Sequence, residues 1–164
     1  IETTSRQRRG RKRGNKMIKR YKKNEIEKLV EILKNDGVIS VPTDTVFGIC
    51  ARINSEIAHD KLIYVTNGKD TIAVRMATSE PIKKLILELK VPIFMTSANQ
   101  SGEPACTSLD EIEKMCPGLD GMMEGNVIFS KGSTIIDCSD DEIKILREGP
   151  ITIEQINEIK KICF

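Results

Sequence analysis

Val38-Ile39-Ser40-Val41-Pro42-Thr43-Asp44-Thr45-Val46-Phe47-Gly48 is the stretch on which the fold class turns. Its first four residues form a short β-prone run, closed by Pro42, which has no N–H to give a ladder. Upstream, Asn24 and Glu27 have the spacing of a capping box, and Ile26, Leu29, Val30 and Leu33 recur at helical spacing until Asp36-Gly37. A helix therefore feeds a strand. Downstream, the pattern predicts a helix over Ser55 to Tyr64, a strand over Thr71 to Met76, and a helix capped by Ser79. That helix has Pro81 in its first turn and Ile82, Leu85, Ile86 and Leu89 on one face. Val91 to Met95 follows as a buried strand, and Ser108 with Glu111 caps a short helix ending near Cys116-Pro117-Gly118. Short strands are expected over Asn126 to Phe129, Ser133 to Cys138 and Glu142 to Leu146. Thr152 with Gln155 caps a last helix carrying Ile153, Ile156, Ile159 and Ile162. Helices and strands interleave, which predicts an α/β chain with a mixed open sheet layered by helices.

The chain has 164 residues, 39% hydrophobic and 30% charged, enough for one domain with one core. Cys50, Cys106, Cys116, Cys138 and Cys163 are scattered without a C-x-x-C pair, and His59 is the only histidine, so a zinc site is not expected. They read as reduced thiols of a cytoplasmic protein. No apolar run approaches the ~20 residues that span a bilayer, so no membrane partner is expected. Residues 1–23 hold 11 of the 26 Lys and Arg but only one acid, Glu2, which leaves 15 basic and 23 acidic residues in the rest. The body is acidic. Residues 1–16 are expected to be a basic disordered arm that could hold an RNA backbone, or a leader preceding Met17, and residues 17–164 the single domain.

Three polar clusters follow predicted strands, where open α/β sheets bind ligands. Pro42 to Gly48 packs two hydroxyls, a carboxylate and a turn glycine, although alone it is also an ordinary Ser/Thr or Asx turn. Thr96-Ser97-Ala98-Asn99-Gln100-Ser101-Gly102-Glu103-Pro104 could form an anion-holding nest, or be a polar loop. The third combines Lys131-Gly132-Ser133-Thr134 with Arg147-Glu148-Gly149-Pro150. Arg75 is a lone cation in an otherwise apolar run, either paired with a carboxylate of the fold or offered to an anionic ligand. The chain has neither G-x-x-x-x-G-K-[ST] nor G-x-G-x-x-G, which excludes the common phosphate loops. His59 lies on a predicted helix as a surface residue, so catalysis has to rest on positioning and charge stabilisation.

V-I-S-V-P-T-D-T-V-F-G, T-I-A-V-R-M, P-I-F-M-T-S-A-N-Q-S-G-E-P and G-S-T-I-I-D ahead of L-R-E-G-P-I occur in the order found in the YrdC/TsaC family. The chain resembles these L-threonylcarbamoyladenylate synthases over most of residues 24–155. Each piece is weak alone; four in order are specific. The resemblance implies a twisted sheet around a large concave cavity, in which ATP, L-threonine and bicarbonate give threonylcarbamoyl-AMP and pyrophosphate. The product would pass to the tRNA threonylcarbamoyl-transferase machinery for t6A modification. By motif, Thr43, Arg75, Met95 and Ser133 fall where the family binds threonine, and Thr71, Ser97, Asn99, Ala105 and Arg147 where it binds the nucleotide. Mg²⁺ with ATP is the implied cofactor.

One departure is large. The family has a K-x-R motif after the helix that here ends in Ile63-Tyr64, followed by several dozen residues, yet Tyr64 is joined directly to Val65. That motif supplies cations for the triphosphate and bicarbonate, so additional residues are expected between positions 64 and 65. Two alternatives stand beside the synthase. One is a non-catalytic RNA-binding module, with weak tRNA binding through the arm, against which the acidic body counts. The other is a carbamoyl-transfer relative, against which the absence of zinc-finger and acylphosphatase modules counts.

Overall fold

A computed structural model of the chain describes residues 17–53, 71–99, 102–128 and 131–163. The expected helix at 55–64 with His59, the join between Tyr64 and Val65, the 1–16 arm, Gln100, Ser101 and Phe129 lie outside the described residues. In chain order the elements are β1 (Arg20–Tyr21), a 3₁₀ turn (Lys23–Glu25), α1 (Ile26–Lys34), β2 (Ile39–Pro42) and β3 (Phe47–Arg52). There follow α2 (Glu80–Leu89), β4 (Ile93–Ser97), α3 (Leu109–Met115), β5 (Gly121–Met123), β6 (Ile135–Asp137), β7 (Lys144–Arg147) and α4 (Ile153–Cys163). The first five strands form one mixed sheet in the order β1-β5-β2-β3-β4. β5 runs parallel to both β1 and β2, whereas β3 is antiparallel to β2 and β4. β6 and β7 make a separate antiparallel pair.

Side-chain alternation along the central strands builds a core on each face. Ile39, Val41, Cys50 and Met123 meet Ile26, Leu29, Val30 and Leu33 of α1 and Ile82, Leu85 and Leu89 of α2. Phe47, Met122 and Ala98 meet Ile112 of α3 and Leu119 on the other face. Leu29, Leu33, Ile39 and Leu85 have no exposed surface, so each contributes about 1.5–3 kcal/mol by leaving water. The Cys50 thiol sits in the first core, 3.7 Å from the Ile39 carbonyl oxygen, and burial pushes its pKa up to about 12. α1 ends as Asp36 enters the left-handed region at φ 58°.

The caps at Ser108 and Thr152 form as expected. The Glu111 N–H donates to Ser108 Oγ at 3.3 Å, while the Glu111 carboxylate accepts from the Thr107 N–H at 2.8 Å. The Thr152 N–H donates to Gln155 Oε1 at 3.0 Å and the Gln155 N–H to Thr152 Oγ1 at 3.4 Å. Five expectations are corrected. At α1 the reciprocal pair is displaced: a 3₁₀ turn precedes the helix and Glu25 accepts from the Lys22 N–H, so Asn24 is not the cap. Ser79 holds the N-cap position of α2 without a side-chain cap bond. Thr71 to Met76 is not a strand, because no described strand lies beside it to form a ladder, and all six residues are exposed. Residues 126–128 likewise lie outside any strand; β5 begins earlier, at Gly121. β4 is half-exposed rather than buried, since it occupies the edge of the five-stranded sheet.

Candidate functional site

β2 and β3 are joined by Thr43 to Val46, and this connection is held by its own hydroxyls. Thr43 Oγ1 donates to the Val46 carbonyl at 2.6 Å and accepts from the N–H groups of Thr45 at 3.1 Å and Val46 at 3.2 Å. Thr43 is therefore the local Ser/Thr turn that its sequence allows. Both threonines are buried, with Thr45 only 6% exposed. The Thr45 hydroxyl lies 3.2 Å from Thr43 Oγ1 within the turn and 3.4 Å from Ser133 Oγ, across 88 residues of sequence.

Arg75 closes the cluster. Its Nη1 donates to Ser133 Oγ at 2.7 Å and to Thr45 Oγ1 at 3.4 Å, and its Nη2 is hydrogen-bonded and ion-paired to Asp44. The other Asp44 oxygen accepts from the Thr78 hydroxyl at 2.7 Å. Arg75 thus takes the first of the two roles its sequence position left open, pairing with a carboxylate of the fold, while 41% of its side chain stays exposed. Burial alone would raise the Asp44 carboxyl, but the Thr78 hydroxyl and the Arg75 charge outweigh it and hold the group below its ordinary value of 3.8.

Ser133 and Arg147 come from the two ends of the β6–β7 region. Arg147 Nε donates to the Ser133 carbonyl at 2.9 Å. Thr134 Oγ1 accepts from the Gly149 and Ile151 N–H groups, at 2.9 and 3.2 Å, and donates to the Ile151 carbonyl at 2.6 Å. A Cβ on Gly149 would lie 2.2 Å from the Thr134 backbone nitrogen, so only glycine lets these two segments cross. β4 reaches the same end of the main sheet: Ser97 pairs with Gly48, and the Ala98 N–H donates to the Phe47 carbonyl at 2.8 Å. The Met95 side chain covers Gly48, where a Cβ would meet its sulfur at 2.8 Å. Past Ser97, Asn99 Nδ2 donates to the Glu103 carbonyl at 2.9 Å and the Cys106 N–H to the Ala98 carbonyl at 2.8 Å, which ties Ala98 and Asn99 to Glu103 and Cys106.

Of the residues singled out by sequence, Thr43, Arg75, Ser133 and Arg147 are joined in one hydrogen-bonded group. Met95, Ser97 and Asn99 belong to the adjacent strand and loop. Thr71 is exposed on the irregular segment that leads to Arg75, and Ala105 is half-buried beside Cys106; among the described residues neither bonds to the group. Asp44, Thr45 and Thr78 are the additions. Asp44 and Thr45 stand inside the P-T-D-T stretch, but only the folded chain shows that they face Arg75. Among the described residues no cluster of His, Cys, Asp or Glu could hold a metal ion by itself. A cation carried on the phosphates of a nucleotide, keeping most of its waters, needs no such cage. The cluster brings together the Arg75 and Arg147 guanidiniums and the Thr45 and Ser133 hydroxyls, with Asp44 paired to Arg75; guanidinium and hydroxyl donors of this kind suit an anionic or carboxylate ligand.

The Sua5/YciO/YrdC family model, described as telomere recombination, matches residues 62–149, more than half of the chain. A Methanocaldococcus jannaschii protein carrying the threonylcarbamoyl-AMP synthase name is 29% identical over 205 aligned positions, which take in 87% of this chain and 97% of that protein. An alignment of 205 positions that uses 87% of 164 residues leaves about 60 positions opposite no residue of this chain. The Bacillus subtilis threonylcarbamoyl-AMP synthase is 36% identical over 97 residues, 58% of this chain but only 28% of that enzyme. Among solved structures, Pyrococcus abyssi Sua5 complexed with L-threonine superposes with a TM-score of 0.74 at 20% identity, over 88% of this chain and 61% of that one. Escherichia coli YciO gives 0.69 at 17% identity, over 85% and 99%. The fold of these structures is the mixed sheet described above. With the matched family model and the strand-end cluster formed by P-T-D-T, Arg75 and G-S-T, the chain belongs to the Sua5/YciO/YrdC family.

Proposed function

We propose that this chain is a threonylcarbamoyl-AMP synthase, making threonylcarbamoyl-AMP and pyrophosphate from ATP, L-threonine and bicarbonate. The observation that carries this reading is the convergence of Arg75, Ser133 and the Thr43–Thr45 turn in a chain whose relatives bear that enzyme's name. In this reading Thr43, Arg75, Met95 and Ser133 line the threonine site, with the guanidinium on the amino acid's carboxylate. Thr71, Ser97, Asn99, Ala105 and Arg147 serve the nucleotide. The threonine amine and bicarbonate condense to a carbamate with loss of water. A carbamate oxygen then attacks the α-phosphate of ATP, and pyrophosphate leaves. Mg²⁺ carried on the ATP phosphates supplies charge neutralisation. The protein's part is to bring the three reactants together in line, which needs no histidine.

The cations expected to grip the triphosphate would come from an interior block at the Tyr64–Val65 join, of the size that the M. jannaschii alignment leaves unmatched. Peptide mapping of the protein expressed from its own gene decides this: residues found between Tyr64 and Val65 support that block, and a peptide joining the two directly removes it. The product, a reactive acyl adenylate, would be handed to a tRNA-modifying transferase. Among the described residues no helix is long and apolar enough to cross a membrane, in keeping with a protein that works beside tRNA in the cytoplasm.

Titration calorimetry with L-threonine and with ATP, together with pyrophosphate release in bicarbonate buffer, tests the reading. Threonine and ATP should both bind and pyrophosphate should appear only when all three reactants are present. Arg75→Ala should weaken threonine by about 1.5–3 kcal/mol, the contribution of a charged hydrogen bond. Unchanged threonine affinity in folded Arg75→Ala would remove the guanidinium from the site. Binding of tRNA without any pyrophosphate release would favour the non-catalytic RNA module instead.

A further inference from the structure

We propose that Asp44 is the positioning residue of the threonine site, fixing the Arg75 guanidinium in the orientation that meets the substrate carboxylate; this rests on the reading of the site given above. An arginine has five N–H donors in a rigid fork, and its direction is worth as much as its charge. In this chain Nη1 is occupied by Ser133 and Thr45, and Nη2 bonds to Asp44. The side chain of Arg75 springs from an exposed segment that has no ladder among the described residues to hold it. The restraint on its orientation therefore has to come from its partners.

Asp44 is suited to that task for three reasons. It sits in the four-residue connection between β2 and β3, whose shape is set by the Thr43 hydroxyl, so its backbone is anchored to the central sheet. Its second oxygen is held by Thr78, just ahead of α2, so the carboxylate cannot swing with the arginine. And its bond falls on Nη2, while Nε of Arg75 has no acceptor among the described residues and remains a donor for a carboxylate. Asp44 acts through Arg75 and touches no substrate itself. Thr78 supports Asp44 in the same way, one bond further out.

The test compares D44N, D44E and T78V with the unaltered protein, alone and combined with R75A. D44N should raise the dissociation constant for L-threonine by about tenfold while leaving that for ATP within about twofold, since only one charged hydrogen bond is lost. D44E should recover part of the loss, and T78V should give a smaller loss of the same kind. In the R75A background D44N should change threonine affinity by less than about twofold, because residues acting in one chain are not additive. A D44N effect that persists undiminished in R75A, or that falls equally on ATP, would overturn the assignment, as would threonine affinity unaltered by D44N. The restraint itself is read without any substrate from the NMR signals of the Arg75 guanidinium. Restricted Nη rotation in the unaltered protein, released in D44N and in T78V, supports the proposal. Free rotation in all three overturns it. If the unaltered protein binds no threonine, this second measurement still decides the role of Asp44, whereas the synthase reading falls separately.

Discussion

Ile39–Pro42 and Thr71 to Met76 are both rich in β-branched and apolar residues, yet every position of the first is buried and every position of the second exposed, with Val74 at 86% and Met76 at 91%. Composition does not separate them. β2 lies between β3 and β5 in the sheet and is covered by α1 and α2, so its N–H and C=O groups are paired and its side chains leave water. The 71–76 segment has no described strand beside it, and a run that is only β-prone gains little without neighbours on its face. Among the described residues, what holds it is the Arg75 side chain, fastened to Asp44 and Thr45 in the β2–β3 connection and to Ser133.

The largest effect should come from β2. Ile39→Ala deletes a fully buried side chain between two strands and two helices and should cost about 2–5 kcal/mol in urea unfolding. A cost below about 1 kcal/mol would mean that the sheet collapses around the gap, and the contrast with 71–76 would lose its force.

The Arg75 tether should be sensitive to acid in one direction only. The folded-state pKa of Asp44 is depressed, so its contribution is present above the unfolded value and is lost as pH falls through the folded one. The pair is partly exposed, so at most about 1 kcal/mol rides on it. A carbon NMR titration of the Asp44 carboxyl should give a midpoint below 3.8, with the Arg75 signals shifting over the same range. A midpoint at or above 3.8 breaks the link.

Smallest should be Val74→Thr, which changes an exposed side chain in an unpaired segment. It should alter stability by no more than about 0.5 kcal/mol. A larger loss would sharpen the comparison in an informative way, by showing that something covers Val74 in solution.

Sequence made the helices legible because their evidence is local. The 3.6-residue spacing of Ile82, Leu85 and Leu89, and the Ser108–Glu111 and Thr152–Gln155 pairs, need no distant residue to be read. β1 and β5 escaped for the opposite reason: they are two and three residues long, and Arg20–Tyr21 becomes a strand only by lying beside Met122 and Met123. β3 was hidden because Phe47 and Gly48 look like the end of a turn. At the site, the motif order pointed to Thr43, Arg75, Ser133 and Arg147, which the fold gathers. It could not assign Asp44 or Thr78, whose meaning lies in which oxygen meets which donor. Arg75 misled in a further respect, since an arginine among Ile, Val and Met reads as a strand residue whether or not a partner strand is present.

The thiol of Cys50 has a use that does not depend on function. It is sealed on β3 within the first core, its pKa pushed up to about 12, whereas Cys138 stands exposed at the end of β6. Since a thiolate must form before an alkylating reagent can attack, Cys50 reacts only when the central strands part. The two cysteines therefore make an internal clock and its control. Cys138 reports the reagent's intrinsic speed, and the lag of Cys50 behind it measures how often the heart of the sheet comes open.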